Sequence, residues 1–311
     1  MSERMELLRH ALEQAAGAGR IVITGHDNPD VDSVAACVLM QRLLARMGIP
    51  AQIVLQTRAD GQSRRVMPRF GVDPDGFLGE TQEGDALVLV DHHQPLHAGR
   101  VIACVDHHPT DFPPAYPYVQ IEPSGACALM VLRLMEEAGV PVAQEDTALA
   151  VTALYLDTIA LRNTKIPPHE VKWGRETAQA LGLDERWLES EGMRLRDMSA
   201  PAEELAMLGK KTYDFGGMRV VSTYVQTHDI AAEKLNEILA VIRAAMAREG
   251  AALWVFLVHD PVAGFSAEYD MFPDGVVSVH RYDVLASRGK DVMPRVERMI
   301  RSGQAAGKAE R

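Results

Sequence analysis

IVITGHDNPDVDS, residues 21–33, joins an apolar run to a segment holding one histidine and three aspartates. IVIT does not alternate, so it reads as a strand buried on both faces, the kind found in a parallel sheet. The charge arrives at its carboxyl end. Burying an unpaired carboxylate is costly, so these side chains are either solvated in a loop or gathered round a cation. SVAACVLMQRLLARMG (33–48) then reads as a helix closed by Gly48. Strand, charged loop and helix in that order suit an open α/β sheet, in which ligands bind beyond the carboxyl ends of the strands.

The same arrangement recurs twice. DALVLVD (85–91) and RVIACVD (100–106) are short apolar runs, each ending at an aspartate followed by two histidines. Five of the 11 histidines fall between residues 92 and 108. Three strands of one sheet would deliver His26, Asp30, Asp32, Asp91 and His107 to one place. A fourth delivery comes from LYLDTIAL (154–161), where Asp157 interrupts an otherwise apolar helix and needs a partner. One such loop alone is ordinary solvated surface; the combination points to a metal. Imidazole with carboxylate suits Mn²⁺, Fe²⁺, Co²⁺ or Zn²⁺. Four aspartates and two histidines are enough for two ions sharing one carboxylate, the clamp used for in-line displacement at phosphorus. Asp106 is expected to hold a ligand imidazole in one tautomer.

The rest of the chain sets the frame. Its 311 residues favour two domains, and a hydrophobic content of 47% suits a globular chain. Residues 3–18 read as a helix ending at Gly17 and Gly19, AQIVLQT (51–57) as a strand, and 125–139 and 145–161 as helices, with more helix at 167–192. Gly125 follows Pro123 and Ser124; its amides can face an anion, or Ser124 can serve as a helix N-cap. The expected fold is an α/β domain over 1–192 with a mostly parallel sheet covered by helices. A charged linker follows at 193–211, and a smaller α/β domain over 212–311 opens on a hairpin at Gly216–Gly217 and ends in a frayed tail.

A net charge of −11 argues against duplex nucleic acid as a partner, and 5% aromatic content against single-stranded nucleic acid. No run is long enough to span a membrane. Cys37, Cys104 and Cys127 lie in apolar contexts at wide spacing, as expected of core residues in a reducing cytoplasm.

GHDNPDVDS, VDHHQ (90–94), VDHHPTDF (105–112) and LYLDTIALRNT (154–164) together resemble the four motifs of the DHH phosphoesterase superfamily. Within it the chain is most similar to the manganese-dependent family II inorganic pyrophosphatases. EPSGACA (122–128) resembles their Glu-Pro-Val-Gly segment, and SRGKDVMP (287–294) their C-terminal Ser-Arg-Lys-Lys signature. The resemblance spans roughly residues 20–304. It implies that His26 and Asp30 bind one metal, that Asp32, His107 and Asp157 bind the other, and that Asp91 bridges them. A hydroxide between the metals would attack phosphorus. His108 would stand beside the leaving phosphate as donor or general acid, with His92 as a nearby catalytic or substrate-binding group. Arg288 would close over the distal phosphate, with Lys290 beside it. The implied cofactors are two divalent ions, manganese first, cobalt or iron as substitutes, and magnesium accompanying the substrate. The implied partner is a small anionic phosphate, and the implied assembly a homodimer.

The chain also departs from that family. The second motif reads Asp91-His92-His93-Gln94 in place of Asp-His-Asn-Glu, Gly289 replaces a lysine, Asp27 stands where a basic or neutral residue is usual, and the expected linker lysine is absent from MSAPAEEL (198–205). Lys210 and Lys211 lie close by as substitutes. These losses keep two other readings open: an exopolyphosphatase or small-nucleotide phosphoesterase, and a metal-binding regulatory protein without turnover.

Overall fold

The computed structural model describes residues 3–16, 19–95, 97–164 and 166–302. Gly17 and the tail 303–311 therefore lie outside the described residues. Contacts divide the chain into two units, Met1–Leu161 with Ile166–Gly192, and Arg162–Lys165 with Met193–Arg311.

In the first unit α1 (Glu3–Ala16) leads into β1 (Ile21–Thr24), followed by α2 (Val31–Arg46), β2 (Gln52–Ile53) and α3 (Gly61–Val66). Then come β3 (Ala86–Val90), β4 (Arg100–Asp106) and β5 (Tyr118–Ile121). Helices α4 (Cys127–Glu137), α5 (Gln144–Asp157), α6 (Pro168–Ala180) and α7 (Glu185–Met193) follow. The five strands pair in parallel in the order β2-β1-β3-β4-β5. β1 and β3 are buried throughout, the burial of a strand with no solvent face. Helix α1 packs on β1, β4 and β5, while α2 packs on β1, β2 and β3 and on α4 and α5. Parallel strands all end at one edge of the sheet. From β1 the chain steps to one side for β2 and to the other for β3. Such a switch point leaves a crevice at the strand ends.

Two elements differ from expectation. The run AQIVLQT keeps only Gln52–Ile53 in the sheet; Leu55 bonds instead to the segment at Phe77–Leu78, which draws the chain off the edge. Asp157 is not mid-helix. It is the last residue of α5, and Ile159, Ala160 and Leu161 after it all take positive φ. Left-handed backbone is unusual for isoleucine and ends the helix sharply. The turn is held by Ala160 N–H donating to Tyr155 O and Leu161 N–H donating to Thr158 Oγ1.

In the second unit the stretch 193–211 contains a short helix, α8 (Ala202–Ala206), whose Leu205 and Ala206 are buried with Ile238, Trp254 and Phe256. Two adjacent apolar residues dock a segment that looks polar by composition. The unit continues with β6 (Lys211–Phe215), β7 (Met218–Gln226), α9 (Ala232–Glu249), β8 (Leu253–Asp260), β9 (Phe265–Met271), β10 (Val277–Tyr282) and α10 (Met293–Arg301). Its sheet order is β10-β9-β8-β7-β6, parallel between β7 and β8 and antiparallel elsewhere.

Glu268 and Asp270 lie two apart on β9, hence on one face, and both are ion-paired to Arg295 of α10. Burial, reinforced by repulsion from Glu268, raises the Asp270 carboxyl to about 7. Folding therefore binds a proton that the unfolded chain releases near its ordinary value of about 3.9. Stability should fall as pH rises from about 4 to about 7. Asp270→Asn is expected to flatten that slope in melting temperatures measured across this range; an unchanged slope would mean Asp270 titrates normally.

Candidate metal centre

The loop after β1 starts at Gly25. A Cβ there would lie 2.1 Å from Ser33 Oγ, so any larger residue would have to displace that hydroxyl at the start of α2. Asp30 caps α2, its Oδ1 accepting from Ser33 N at 3.1 Å. Its other oxygen, Oδ2, faces His26 Nε2 at 4.0 Å. Asp32, two residues on, is almost wholly buried. Both its oxygens accept backbone N–H groups at the start of α4, from Cys127 at 2.7 Å and Ala128 at 2.8 Å. Two helix N-termini thus offset part of the carboxylate charge. Of the two roles open to the Ser124–Gly125 segment, the N-cap is not the one seen: Ala126 holds that position and Asp32 accepts from the start of α4.

Asp91 follows β3 with φ 62°, a left-handed conformation uncommon outside glycine, asparagine and aspartate. It is buried, with Oδ2 at 3.3 Å from His26 Nε2 and Oδ1 at 3.1 Å from His107 Nε2. His107 Nε2 also lies 3.8 Å from Asp32 and 3.6 Å from Asp157. Two three-residue groups result, His26 with Asp30 and Asp91, and Asp32 with His107 and Asp157, each with ligand atoms close enough to hold one ion. All six residues expected as ligands come together.

Do these residues fit divalent metals? The Nδ1 of His107 meets the Ser124 carbonyl at 3.1 Å, and that of His26 meets the Asp27 carbonyl at 2.8 Å. A carbonyl only accepts, so Nδ1 carries the proton in both rings, and each neutral imidazole turns an Nε2 lone pair toward carboxylate oxygen. Acceptor faces acceptor across 3.1 Å at Asp91 Oδ1, a buried atom without a hydrogen bond among the described residues. Only a cation or an added proton makes that arrangement favourable. Burial and the Asp91 charge push the Asp32 carboxyl well above its ordinary range. Burial also pushes Asp91 up; positive charge on the side of His107 and His26, the same cation or added proton, outweighs it and draws its carboxyl well below the ordinary range. The donor set is one that manganese, iron or cobalt accepts.

Asp106, fully buried, has a different job from the one expected. It holds not His107 but two other imidazoles, accepting from His108 Nδ1 at 2.8 Å and His93 Nδ1 at 2.6 Å. Burial would raise its carboxyl; these hydrogen bonds overcome that and hold it far below the usual range. His108 also stands 3.8 Å from Asp91 Oδ1. His93 has no role in the sequence reading. Its signal is an aspartate at the end of a fully buried strand, which needs more donors than one neighbouring histidine supplies. His92 turns inward, its Nδ1 on the Val90 carbonyl at 3.0 Å, and burial lowers it to about 4, so it is neutral at pH 7.

Arg288 and Lys290 belong to the second unit. Ser287 accepts from Lys290 N and starts the turn Arg288–Val292. Arg288 donates to the Gly209 carbonyl and lies over the Tyr224 ring, and Lys290 Nζ donates to the Thr164 carbonyl at 3.0 Å. Lys210 is ion-paired to Glu249 at 2.6 Å.

Residues 20–161 match the family model described as the DHH family, N-terminal domain. The chain carries a DHH-family domain. That domain contains the six clustered histidine and aspartate residues and their supporting strands. Most of the chain resembles proteins named "Probable manganese-dependent inorganic pyrophosphatase". One from Exiguobacterium sp. is 26% identical over 89% of this chain and 94% of its own length. Another, from Streptococcus mutans, is 27% identical over 78% of this chain and 82% of its own. In fold it matches a crystal structure of a candidate family II inorganic pyrophosphatase from Methanococcus jannaschii. The TM-score is 0.75 at 21% identity, over 89% of this chain and 98% of the other. Among the described residues no helix is long and apolar enough to cross a membrane.

Proposed function

We propose that this DHH-family chain is a divalent-metal-dependent phosphohydrolase that cleaves a small phosphoanhydride, inorganic pyrophosphate first. The observation that carries the reading is Asp91, whose two oxygens each face a different ligand imidazole. One carboxylate placed to serve two ions is an arrangement suited to the two-metal clamp for in-line displacement at phosphorus. The names of the relatives support the substrate. Bound there by His26, Asp30 and Asp91 and by Asp32, His107 and Asp157, divalent ions would lower the pKa of a water and neutralise phosphate oxygens.

The chain's own residues do the rest. Asp91, in its strained conformation, fixes the spacing of the two groups. Asp106 fixes the His108 ring by taking its Nδ1 proton in a hydrogen bond, leaving Nε2 to hold a proton for the leaving phosphate. Burial holds the His108 ring below its ordinary range, and the hydrogen bond to the Asp106 carboxylate opposes that in favour of the imidazolium. His93, on the same carboxylate, orients Asp106 in turn. His92 remains a neutral neighbour of the site. Arg288 and Lys290 are assigned to the substrate's phosphate oxygens, so Arg288→Ala should raise KM more than it lowers kcat. Cytoplasmic location and a homodimer complete the reading.

The direct test is phosphate release in Mn²⁺ or Co²⁺ from pyrophosphate, tripolyphosphate and a dinucleotide, side by side. Cleavage of the dinucleotide alone would replace pyrophosphate with a nucleotide phosphoester; silence on all three in a metal-loaded protein would favour a regulatory role. Within the paired histidines the roles separate. His108→Gln is expected to keep both metals and lower turnover by about 10²–10⁴-fold, the usual share of a general acid. His107→Gln should lose one metal. Equal metal loss in both variants would overturn the assignment.

A further inference from the structure

We infer that Glu170 is a positioning residue for the ligand imidazole of His107, acting through the Ser124–Gly125 loop. The inference rests on the metal reading above. Glu170 lies in the first turn of α6 and is fully buried. A carboxylate in that state needs several donors, and it has them. Ser124 Oγ donates to Oε1 at 3.0 Å and Gly125 N–H to Oε2 at 2.6 Å, while Arg133 Nη1 is 2.9 Å from Oε1. The anion facing the Gly125 amide is therefore the protein's own. Ser124, gripped by its hydroxyl, gives its carbonyl to His107 Nδ1 at 3.1 Å. That contact sets the tautomer that turns Nε2 toward Asp32, Asp91 and Asp157.

The loop is confined from the other side as well. A Cβ on Gly125 would stand 2.5 Å from Leu154 Cδ1 and 3.0 Å from Thr158 Cγ2. Gly125 is thus packed against the end of α5, beside Asp157. One carboxylate on α6 holds the loop against the helix end that carries one ligand, with its carbonyl on the other. His26 and Asp30 have no such link to Glu170 among the hydrogen bonds described. The effect of Glu170 should therefore fall on the Asp32–His107–Asp157 group alone.

The test is Glu170→Gln in the full-length protein, which keeps the volume but cannot accept from Gly125 and pair with Arg133 together. Two readouts are taken: Mn²⁺ titration followed by the free-ion electron paramagnetic resonance signal, and ¹⁵N shifts of the His107 ring in metal-free protein. Groups that orient a metal-bound histidine typically contribute about 10–100-fold to affinity. One Mn²⁺ equivalent should weaken by about that factor while the other keeps its wild-type affinity, and His107 should lose its uniform Nδ1–H tautomer. Ser124→Ala, which keeps the carbonyl and removes the hydroxyl, should show a smaller effect that is not additive with Glu170→Gln. If Glu170→Gln does not fold, Ser124→Ala and Arg133→Met decide by the same readouts. A lower melting temperature with unchanged Mn²⁺ affinities and an unchanged His107 tautomer would reduce Glu170 to a packing role and overturn the inference. Wild-type protein that binds Mn²⁺ but cleaves no phosphate compound would refute the proposed activity and leave this inference standing. Wild-type protein that binds no Mn²⁺ would refute the metal reading, and the His107 tautomer would then decide alone.

Discussion

Asp91→Asn is expected to strip both metal equivalents from the protein together. Asparagine is the informative replacement because residue 91 sits at φ 62°, which asparagine tolerates and alanine resists. Backbone strain is then held constant and the change isolates the charge. Each oxygen of Asp91 faces a separate imidazole, so neutralising one residue weakens both groups at once. Metal ions contribute several kcal/mol to phosphoryl transition states, so turnover should fall by about 10³-fold or more. Metal analysis after gel filtration gives the count. Melting temperature gives an independent reading: Mn²⁺ should stabilise the wild type by mass action and leave the variant unmoved. Two tightly held equivalents in Asp91→Asn would mean that Asp91 does not bridge.

With pyrophosphate as the proposed substrate, Gly289→Lys should accelerate its cleavage. The turn at 288–292 carries Arg288 and Lys290, but Gly289 stands where the signature of the family II pyrophosphatases that the chain resembles has a second basic residue, and MSAPAEEL lacks another. A charge-assisted contact to phosphate is worth roughly 1.5–3 kcal/mol, or about 10- to 100-fold in rate. Two missing contacts predict wild-type turnover about 10²–10⁴-fold below that of the Streptococcus mutans relative assayed alongside. Restoring one should recover about 10- to 100-fold. The site accepts the change, since a Cβ at Gly289 meets nothing within 4 Å. The nearby lysines have other occupations: Lys210 is paired with Glu249, and Lys290 bonds to the Thr164 carbonyl. A wild type already as fast as the relative, with no gain in Gly289→Lys, would mean that these lysines leave those partners for substrate.

The clustering of the six candidate ligands was legible in the sequence because its cause is local. A carboxylate at the end of a non-alternating apolar run has no solvent face to escape to, and three such runs in a parallel sheet must end at one edge. Asp30, Asp32, Asp91 and His107 follow from that argument without coordinates. Asp157 was found for a partly mistaken reason: it ends its helix, and the left-handed run at Ile159–Leu161 could not be read from residues that favour helix or strand. The short strand Tyr118–Ile121 escaped notice because four residues at a sheet margin carry too little pattern.

Everything that orients the ligands was decided by tertiary structure. Asp32 takes two amides of a helix about 95 residues away in sequence, Ser124 gives a carbonyl to His107, and Glu170 reaches back 46 positions to Ser124. Hydrogen bonds of this kind depend on where separate elements come to rest, and backbone donors and carbonyls are the same at every position of the chain. The sequence therefore determined which side chains could bind metal and at which edge of the sheet. Only packing determined which nitrogen of each imidazole faces inward, because that depends on a neighbour with no local signature.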